Sequence, residues 1–310
     1  NSPCSLSSAV SSRAVNAGCN LFPADILITS GGVDAIGLCL HAICRPGDIV
    51  AIESPSYFGT LQILEVHGLR ALEIPTHPRE GISLEALDFA IEHNPVRAVM
   101  VISNFNNPLG SQMPDEKKQA LVNLLARHDI PLIENDVSGE LYFSEKRPLV
   151  CKAFDTKDLV MLLSSFSKDI SPGLRLGWVA PGRYYSEVEW LKFTLSASSP
   201  TLPQMAVAEF LESGGYDQHL RRIRSALGVG VSARDDSIQI EGDEPAVLRA
   251  TEVFEQLDRI ARDQGSVEPD QVSHLLAIAA GEKPATPHDP IEVQRPGRQV
   301  LPRSEGQAAY

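Results

Sequence analysis

Between residues 26 and 180 the chain alternates short, continuously apolar runs with longer stretches whose apolar residues recur every three or four positions. The short runs are ILITS (26–30), DIVAIES (48–54), RALEIP (70–75), VRAVMVIS (96–103), IPLIEN (130–135), DLVMLLSS (158–165) and LRLGWVA (174–180). Runs this short and this apolar read as strands buried on both faces. The stretches between them, GVDAIGLCLHAI (32–43), YFGTLQILEVHG (57–68), SLEALDFAIEH (83–93) and PDEKKQALVNLLARHD (114–129), carry the helical period. Strand and helix in alternation predict an α/β unit, a mostly parallel sheet flanked by helices. EVEWLKFTLSA (187–197), PQMAVAEFLES (203–213) and YDQHLRRIRSAL (216–227) then predict three consecutive helices.

The texture changes near residue 227. VSARDD and SIQIEGD predict a strand pair around an Asp-rich turn, followed by amphipathic helices at 244–265 and 268–280. From 281 the chain is rich in Pro and polar residues, which predicts an extended or disordered tail. The expected organisation is therefore a large unit over 1–226, a small α+β module over 227–280 and a tail over 281–310.

Composition narrows the function. The chain has 310 residues, 43% of them hydrophobic, enough for a sizeable core. Its formal net charge of -13 argues against wrapping a phosphate backbone, and from 228 onward 8 basic residues face 15 acidic ones. No apolar run reaches the ~18–20 residues that span a bilayer, and the opening NSPCSLSSAV lacks the layout of a secretory signal. Five cysteines with no CxxC pair suggest neither a disulfide framework nor a metal site. Reduced, buried thiols in a cytoplasmic protein are expected. The chain opens on Asn rather than Met, which reads as a fragment.

Candidate chemistry gathers at the predicted strand ends, where open α/β sheets bind ligands. TSGGVDAI (29–36) joins a strand to a helix through Gly31 and Gly32, so backbone can approach an anion and the first helical N–H groups can face it. SSFSKDISPGLRLG (164–177) places Lys168 behind Ser165 and Ser167 and sets Arg175 seven residues later. A lysine at the end of a buried strand is expected to be desolvated, which frees a neutral amine to attack a carbonyl. Arg175 offers a fork for a phosphate. SPSYFG (54–59), NFNNPLG (104–110) and IENDVSGELYF (133–143) occupy three further strand ends.

This ordered set resembles the fold-type-I pyridoxal-phosphate aminotransferases, most closely the aminotransferase-like domain of MocR-type regulators in the GntR superfamily, over about residues 5–226. The resemblance implies pyridoxal 5'-phosphate as cofactor, an amino-acid or amine substrate and a homodimer. It implies that Lys168 forms the internal aldimine and later moves the substrate α-proton. Ser165, Arg175 and the N–H groups of Gly32 and Val33 would hold the phosphate, Tyr57 would stack on the pyridine ring, and Asn107 would donate to the 3′ oxygen. The family's Asp-Asp-Val-Tyr reads here Asn135-Asp136-Val137-Ser138. Either Asn135 or, after a shift of the strand end, Asp136 would face the ring nitrogen.

Other parts of the family pattern have no match in the sequence. The winged helix-turn-helix of MocR regulators, the N-terminal arm, the closing small domain and its substrate-carboxylate arginine find no counterpart, so weak cofactor binding and poor turnover are expected. Residues 216–310 resemble instead the KH-like region that precedes the ATPase of PhoH-like proteins, without any P-loop. That resemblance gives an alternative, a nucleotide- or RNA-associated protein with a vestigial first part. The join between the two patterns reads as a natural fusion or a recombined frame.

Overall fold

The computed structural model describes residues 5–142, 144 and 146–227, parts of 229–259, and the segments 291–292 and 299–300. The chain divides into two compact units, Asn1–Ser225 and Ala226–Tyr310.

In the first unit eight strands build one sheet: β1 (Leu27–Thr29), β2 (Ile49–Ser54), β3 (Arg70–His77), β4 (Gly81–Ile82), β5 (Val96–Val101), β6 (Leu132–Asn135), β7 (Val160–Ser165) and β8 (Gly177–Ala180). Their spatial order is β1-β8-β7-β6-β5-β2-β3-β4. Strands β3, β2, β5, β6 and β7 run parallel, whereas β8 is antiparallel to both neighbours and β4 to β3. Each of the seven apolar runs contains a strand, although in 174–180 it begins only at Gly177, after a 3-10 turn and the left-handed Arg175, and the sheet is mostly parallel as expected. β4 has no signature in the sequence, because two residues carry no period.

Among the described residues, the helices that accompany this sheet are α1 (Leu6–Ala14), α2 (Gly32–Ile43), α3 (Phe58–Val66), α4 (Leu84–His93), α5 (Asp115–His128), α6 (Tyr185–Ser196), α7 (Thr201–Glu212) and α8 (Gly215–Leu227). End chemistry fixes several of them. Ser83 caps α4 by accepting from the Ala86 N–H at 3.3 Å. In α5, Asp115 and Glu116 lie in the first turn and Arg127 and His128 in the last, in the sense the helix dipole favours. The Ser-rich α1 lies outside the helices that the sequence predicts. It forms because Ser5 caps it and because Leu6, Ala9 and Val10 bury against Phe166, Val207 and Leu211.

Strand alternation sorts the core into two faces. Val50, Ile52, Ala98, Met100, Ile133, Met161 and Leu163 pack beside α2. Ile49, Ala51, Val99, Val101, Leu132 and Val160 pack against Leu87 of α4 and Leu121 and Leu125 of α5. This parity decides which side of the sheet each strand-end residue serves.

In the second unit β9 (Val229–Arg234) and β10 (Ser237–Gly242) pair antiparallel with Ser237 opposite Arg234, the hairpin that the sequence predicts. Within the helix expected at 244–265, Leu248, Thr251, Glu252, Glu255, Gln256 and Arg259 are helical, and the rest lies outside the described residues. The helix expected at 268–280 lies outside them too. So does the tail from 281, apart from a two-residue ladder of β11 (Ile291–Glu292) with β12 (Gln299–Val300).

Candidate functional site

The parallel strands end on one edge of the sheet, and the candidate residues sit along it. Gly31 precedes α2 with φ +100, and no side chain caps that helix. The first-turn N–H groups of Gly32, Val33 and Asp34 have no acceptor within the helix. Asp34 turns its carboxylate back to the Ser30 N–H at 2.8 Å. Arg175, in the left-handed region at φ 49, donates from Nη2 to the Ser30 carbonyl at 2.9 Å. Chain segments 145 residues apart thus meet at one point.

Two glycines make that meeting possible. A Cβ on Gly31 would stand 2.9 Å from Arg175 Nη2, and one on Gly177 would stand 2.8 Å from the Gly31 backbone carbon. A Cβ on Gly32 would come within 3.4 Å of Ser165 Cβ and 3.3 Å of Val137 Cγ1. Ser165 is 4% exposed, with Oγ 3.1 Å from the Leu176 carbonyl and 2.9 Å from Ser167 Oγ. Backbone N–H groups, a guanidinium and hydroxyls around a glycine-lined hollow suit a phosphate dianion. The donor set therefore fits the phosphate end of pyridoxal phosphate.

Lys168 follows β7 in a turn and is exposed. This corrects the desolvation expected from its position: the strand is buried, but the turn carries the lysine to the rim. Tyr57 is half-buried at the start of α3, its ring 4.7 Å from that of Phe58 and folded over Gly59, where a Cβ would collide with it. Asn107 is exposed beyond β5. Tyr57 and Asn107 share the sheet edge with the hollow, and no hydrogen bond ties either side chain to it.

The two side chains competing for the ring nitrogen fall on opposite faces. Asn135 pairs in register with Leu163, on the α2 face that also carries Ser165. Asn135 is 9% exposed, and its Oδ1 accepts from the Val137 N–H at 3.3 Å. Asp136 faces the other way. Its carboxylate is paired with Arg147 and accepts from Asn104 Nδ2 at 3.2 Å. Burial pushes its carboxyl up, and the nearby Arg147 only partly offsets this. Gly139 leaves room for the pair, since a Cβ there would strike both partners.

Two further buried carboxylates brace neighbouring strand ends. Glu134 accepts from Ser103 Oγ at 2.5 Å and from the Cys151 and Lys152 N–H groups at 2.6 and 2.9 Å. Glu53 accepts from the Ile102 N–H at 2.7 Å and Asn106 Nδ2 at 2.8 Å, while its Oε1 has no partner. Burial lifts Glu53 to about 7 against those two bonds. Glu53 thereby ties the loop carrying Asn107 to β2. Sequence reasoning missed Glu53, Asn104 and Arg147. The one available signal was a charge inside or beside an apolar run, as in AIES. Cys19, Cys39, Cys44 and Cys151 are free and buried, as expected. Among the described residues no group of side chains is arranged to hold a metal ion, and no helix is long and apolar enough to cross a membrane.

The family model for aminotransferase class I and II matches residues 14–227. The chain belongs to that family. Two curated relatives are the HTH-type transcriptional regulators YjiR and YdcR of Escherichia coli, both described as uncharacterized. YjiR is 48% identical over 200 residues, covering 64% of this chain and 43% of the relative. YdcR is 43% identical over 224 residues, covering 72% and 47%. The chain thus spans about half the length of the curated relatives it matches. Among solved structures, LysN from Thermus thermophilus, an alpha-aminoadipate aminotransferase complexed with N-(5'-phosphopyridoxyl)-L-leucine, is 27% identical with a TM-score of 0.67, covering 82% of this chain and 60% of LysN. Residues 14–227 are an aminotransferase-like domain of the pyridoxal-phosphate type, with relatives among MocR-type regulators. The PhoH-like alternative finds no support in these matches, and α8, the segment it shared, lies within the aminotransferase match.

Proposed function

We propose that this chain captures pyridoxal 5'-phosphate and responds to an amino acid or amine as the ligand-sensing part of a cytoplasmic regulator, with slow transamination at most. The observation that carries this reading is the opposite facing of Asn135 and Asp136. A neutral amide shares the face of the phosphate hollow, and the carboxylate is committed to Arg147 on the other side.

When bound, the cofactor supplies an aldehyde for the lysine amine and a ring that withdraws electrons from the substrate. Arg175 and the N–H groups of Gly32 and Val33 neutralise the phosphate, with Ser165 as a further donor. Tyr57 covers a ring face, Asn107 donates to the 3′ oxygen, and Lys168 anchors the cofactor and moves the α-proton. Asn135 cannot hold the ring nitrogen protonated as a carboxylate does, which weakens catalysis while leaving capture intact. A homodimer fits the exposed apolar side chains on α6 and α7: Trp190 and Phe193 are each 67% exposed and Leu202 is 79% exposed.

An absorbance titration with pyridoxal phosphate, followed by steady-state assays with amino-acid donors and 2-oxoglutarate, tests the reading. A flat spectrum sinks capture. Turnover in the ordinary enzyme range, on the order of 1–1000 per second, sinks the sensing role.

Two substitutions refine it. Arg175→Gln removes a charged donor from the hollow and is expected to weaken cofactor affinity about 10- to 100-fold, as loss of a charge-assisted bond of roughly 1.5–3 kcal/mol implies. The same titration reads this out. Asn135→Asp is expected to raise any transamination rate about tenfold or more by restoring the charge at the ring nitrogen. If Asp136→Asn abolishes the rate and Asn135→Asp leaves it unchanged, Asn135 is not the facing group.

A further inference from the structure

Lys168 rides on a turn, residues 166–170, that closes on itself. The N–H groups of Ile170 and Ser171 both donate to the Phe166 carbonyl, at 3.1 and 3.0 Å. Lys168 is exposed at this turn, while the next residue, Asp169, is turned inward and only 5% exposed. Helix α8 grips Asp169 twice. The Tyr216 hydroxyl donates to Oδ2, and His219 Nε2 lies 2.6 Å from the Asp169 carbonyl oxygen. Tyr216 is itself 1% exposed, with the Arg13 guanidinium 4.6 Å from its ring centre. Arg13 in turn pairs with Asp217 at 2.8 Å and Glu140 at 3.2 Å.

This arrangement is costly. Burial lifts the Asp169 carboxyl to about 6 against the Tyr216 bond, and Oδ1 is buried without a partner. Asp169 also lines a cavity of about 40 Å³, which has room for a water. Ser165 of the phosphate hollow lines the same cavity. A small neutral residue would close the same turn without the burden of a buried carboxylate. What the carboxylate adds is a second tether, so that the turn is held from α8 through both backbone and side chain.

Resting on the cofactor-capture reading above, we propose that Asp169 is a positioning residue for Lys168. Tyr216 and His219 hold it so that the lysine amine stays where it can meet the aldehyde of a cofactor seated in the hollow. In the step concerned, the neutral lysine nitrogen bonds the aldehyde carbon, and the aldehyde oxygen leaves as water with the two protons that the nitrogen gives up. Borohydride then delivers hydride to that carbon and makes the bond permanent.

The test uses the full chain and two probes. Pyridoxamine 5'-phosphate occupies the phosphate hollow but has no aldehyde, so its affinity reports the hollow alone. The rate of borohydride trapping of pyridoxal phosphate, mapped to Lys168 by peptide mass, reports the lysine. Tyr216→Phe removes one hydroxyl and keeps the ring under Arg13, which makes it the variant safest for folding. Asp169→Asn is its companion. Both are expected to trap at Lys168 at least about tenfold more slowly and to bind pyridoxamine phosphate within about twofold of wild type. Wild-type trapping rates in the two variants overturn the inference. An equal loss in both measurements also overturns it, because it marks a merely structural role. If the wild-type chain itself traps nothing on Lys168, the capture reading falls first.

Discussion

Lys168→Ala is expected to abolish the visible absorbance band that pyridoxal phosphate gives with this chain and to leave nothing for borohydride to trap. The reason is chemical: on the proposed reading the Lys168 amine is the nucleophile, and alanine has none. The rest of the capture apparatus stays. Gly31, Gly32, Ser165 and Arg175 meet through contacts that do not involve Lys168, and Lys168 is exposed, so its removal opens no cavity. The variant is therefore expected to fold as wild type and still to bind pyridoxamine 5'-phosphate. An unchanged visible spectrum in Lys168→Ala would show that another lysine carries the adduct.

Arg147→Met is expected to give the largest loss of stability among single changes near the site. The Arg147 and Asp136 side chains are 6% and 1% exposed, so the substitution strands a carboxylate with Asn104 as its remaining donor. Breaking one partner of a buried pair costs about 3–5 kcal/mol. For a unit of this size that lowers Tm on the order of 10 °C. The pH dependence has a defined sign. Asp136 already holds its proton more tightly in the fold than in the open chain, because burial outweighs Arg147. Loss of Arg147 strengthens that preference. The deficit is thus smallest below about pH 4, where the acid is protonated in both states, and grows as pH rises. Adding Asp136→Asn is expected to recover much of the loss. Thermal melts of the wild type and both variants at pH 4 and pH 7 measure this, and an equal deficit of Arg147→Met at both would show that Asp136 is not the group left stranded.

Strand order and register were not legible in the sequence, but the parts that set the edge of the sheet were. Continuous apolar runs such as VMLL can satisfy only a strand buried on both faces, and β7 is one. The glycines at 31 and 32 and the Arg175 fork were legible because each residue type serves few purposes at a strand end. What failed was anything set by three-dimensional parity. Whether Asn135 or Asp136 faces the hollow depends on the register of β6 with β7, which no local pattern encodes. The exposure of Lys168 failed for a related reason, since a buried strand says nothing about how far the following turn leans outward. Arg147 was invisible because it sits in a polar loop without periodicity, and Tyr216 because an aromatic on an amphipathic helix reads as ordinary core. Both matter through partners remote in sequence, Asp136 and Asp169.

The antiparallel insertion of β8 between β1 and β7 has a consequence for the order of events when the chain folds. Leu27 pairs with Val179, so the hollow is complete only after a segment near the N-terminus has found one some 150 residues later. Contacts of such separation carry a heavy loop-closure cost and slow folding. On the proposed reading, the phosphate ligand consequently meets no partial version of this site on the way. It acts on the finished fold, slowing its loss rather than hastening its arrival, and nascent chains must reach the native sheet without help from the cofactor they are built to hold.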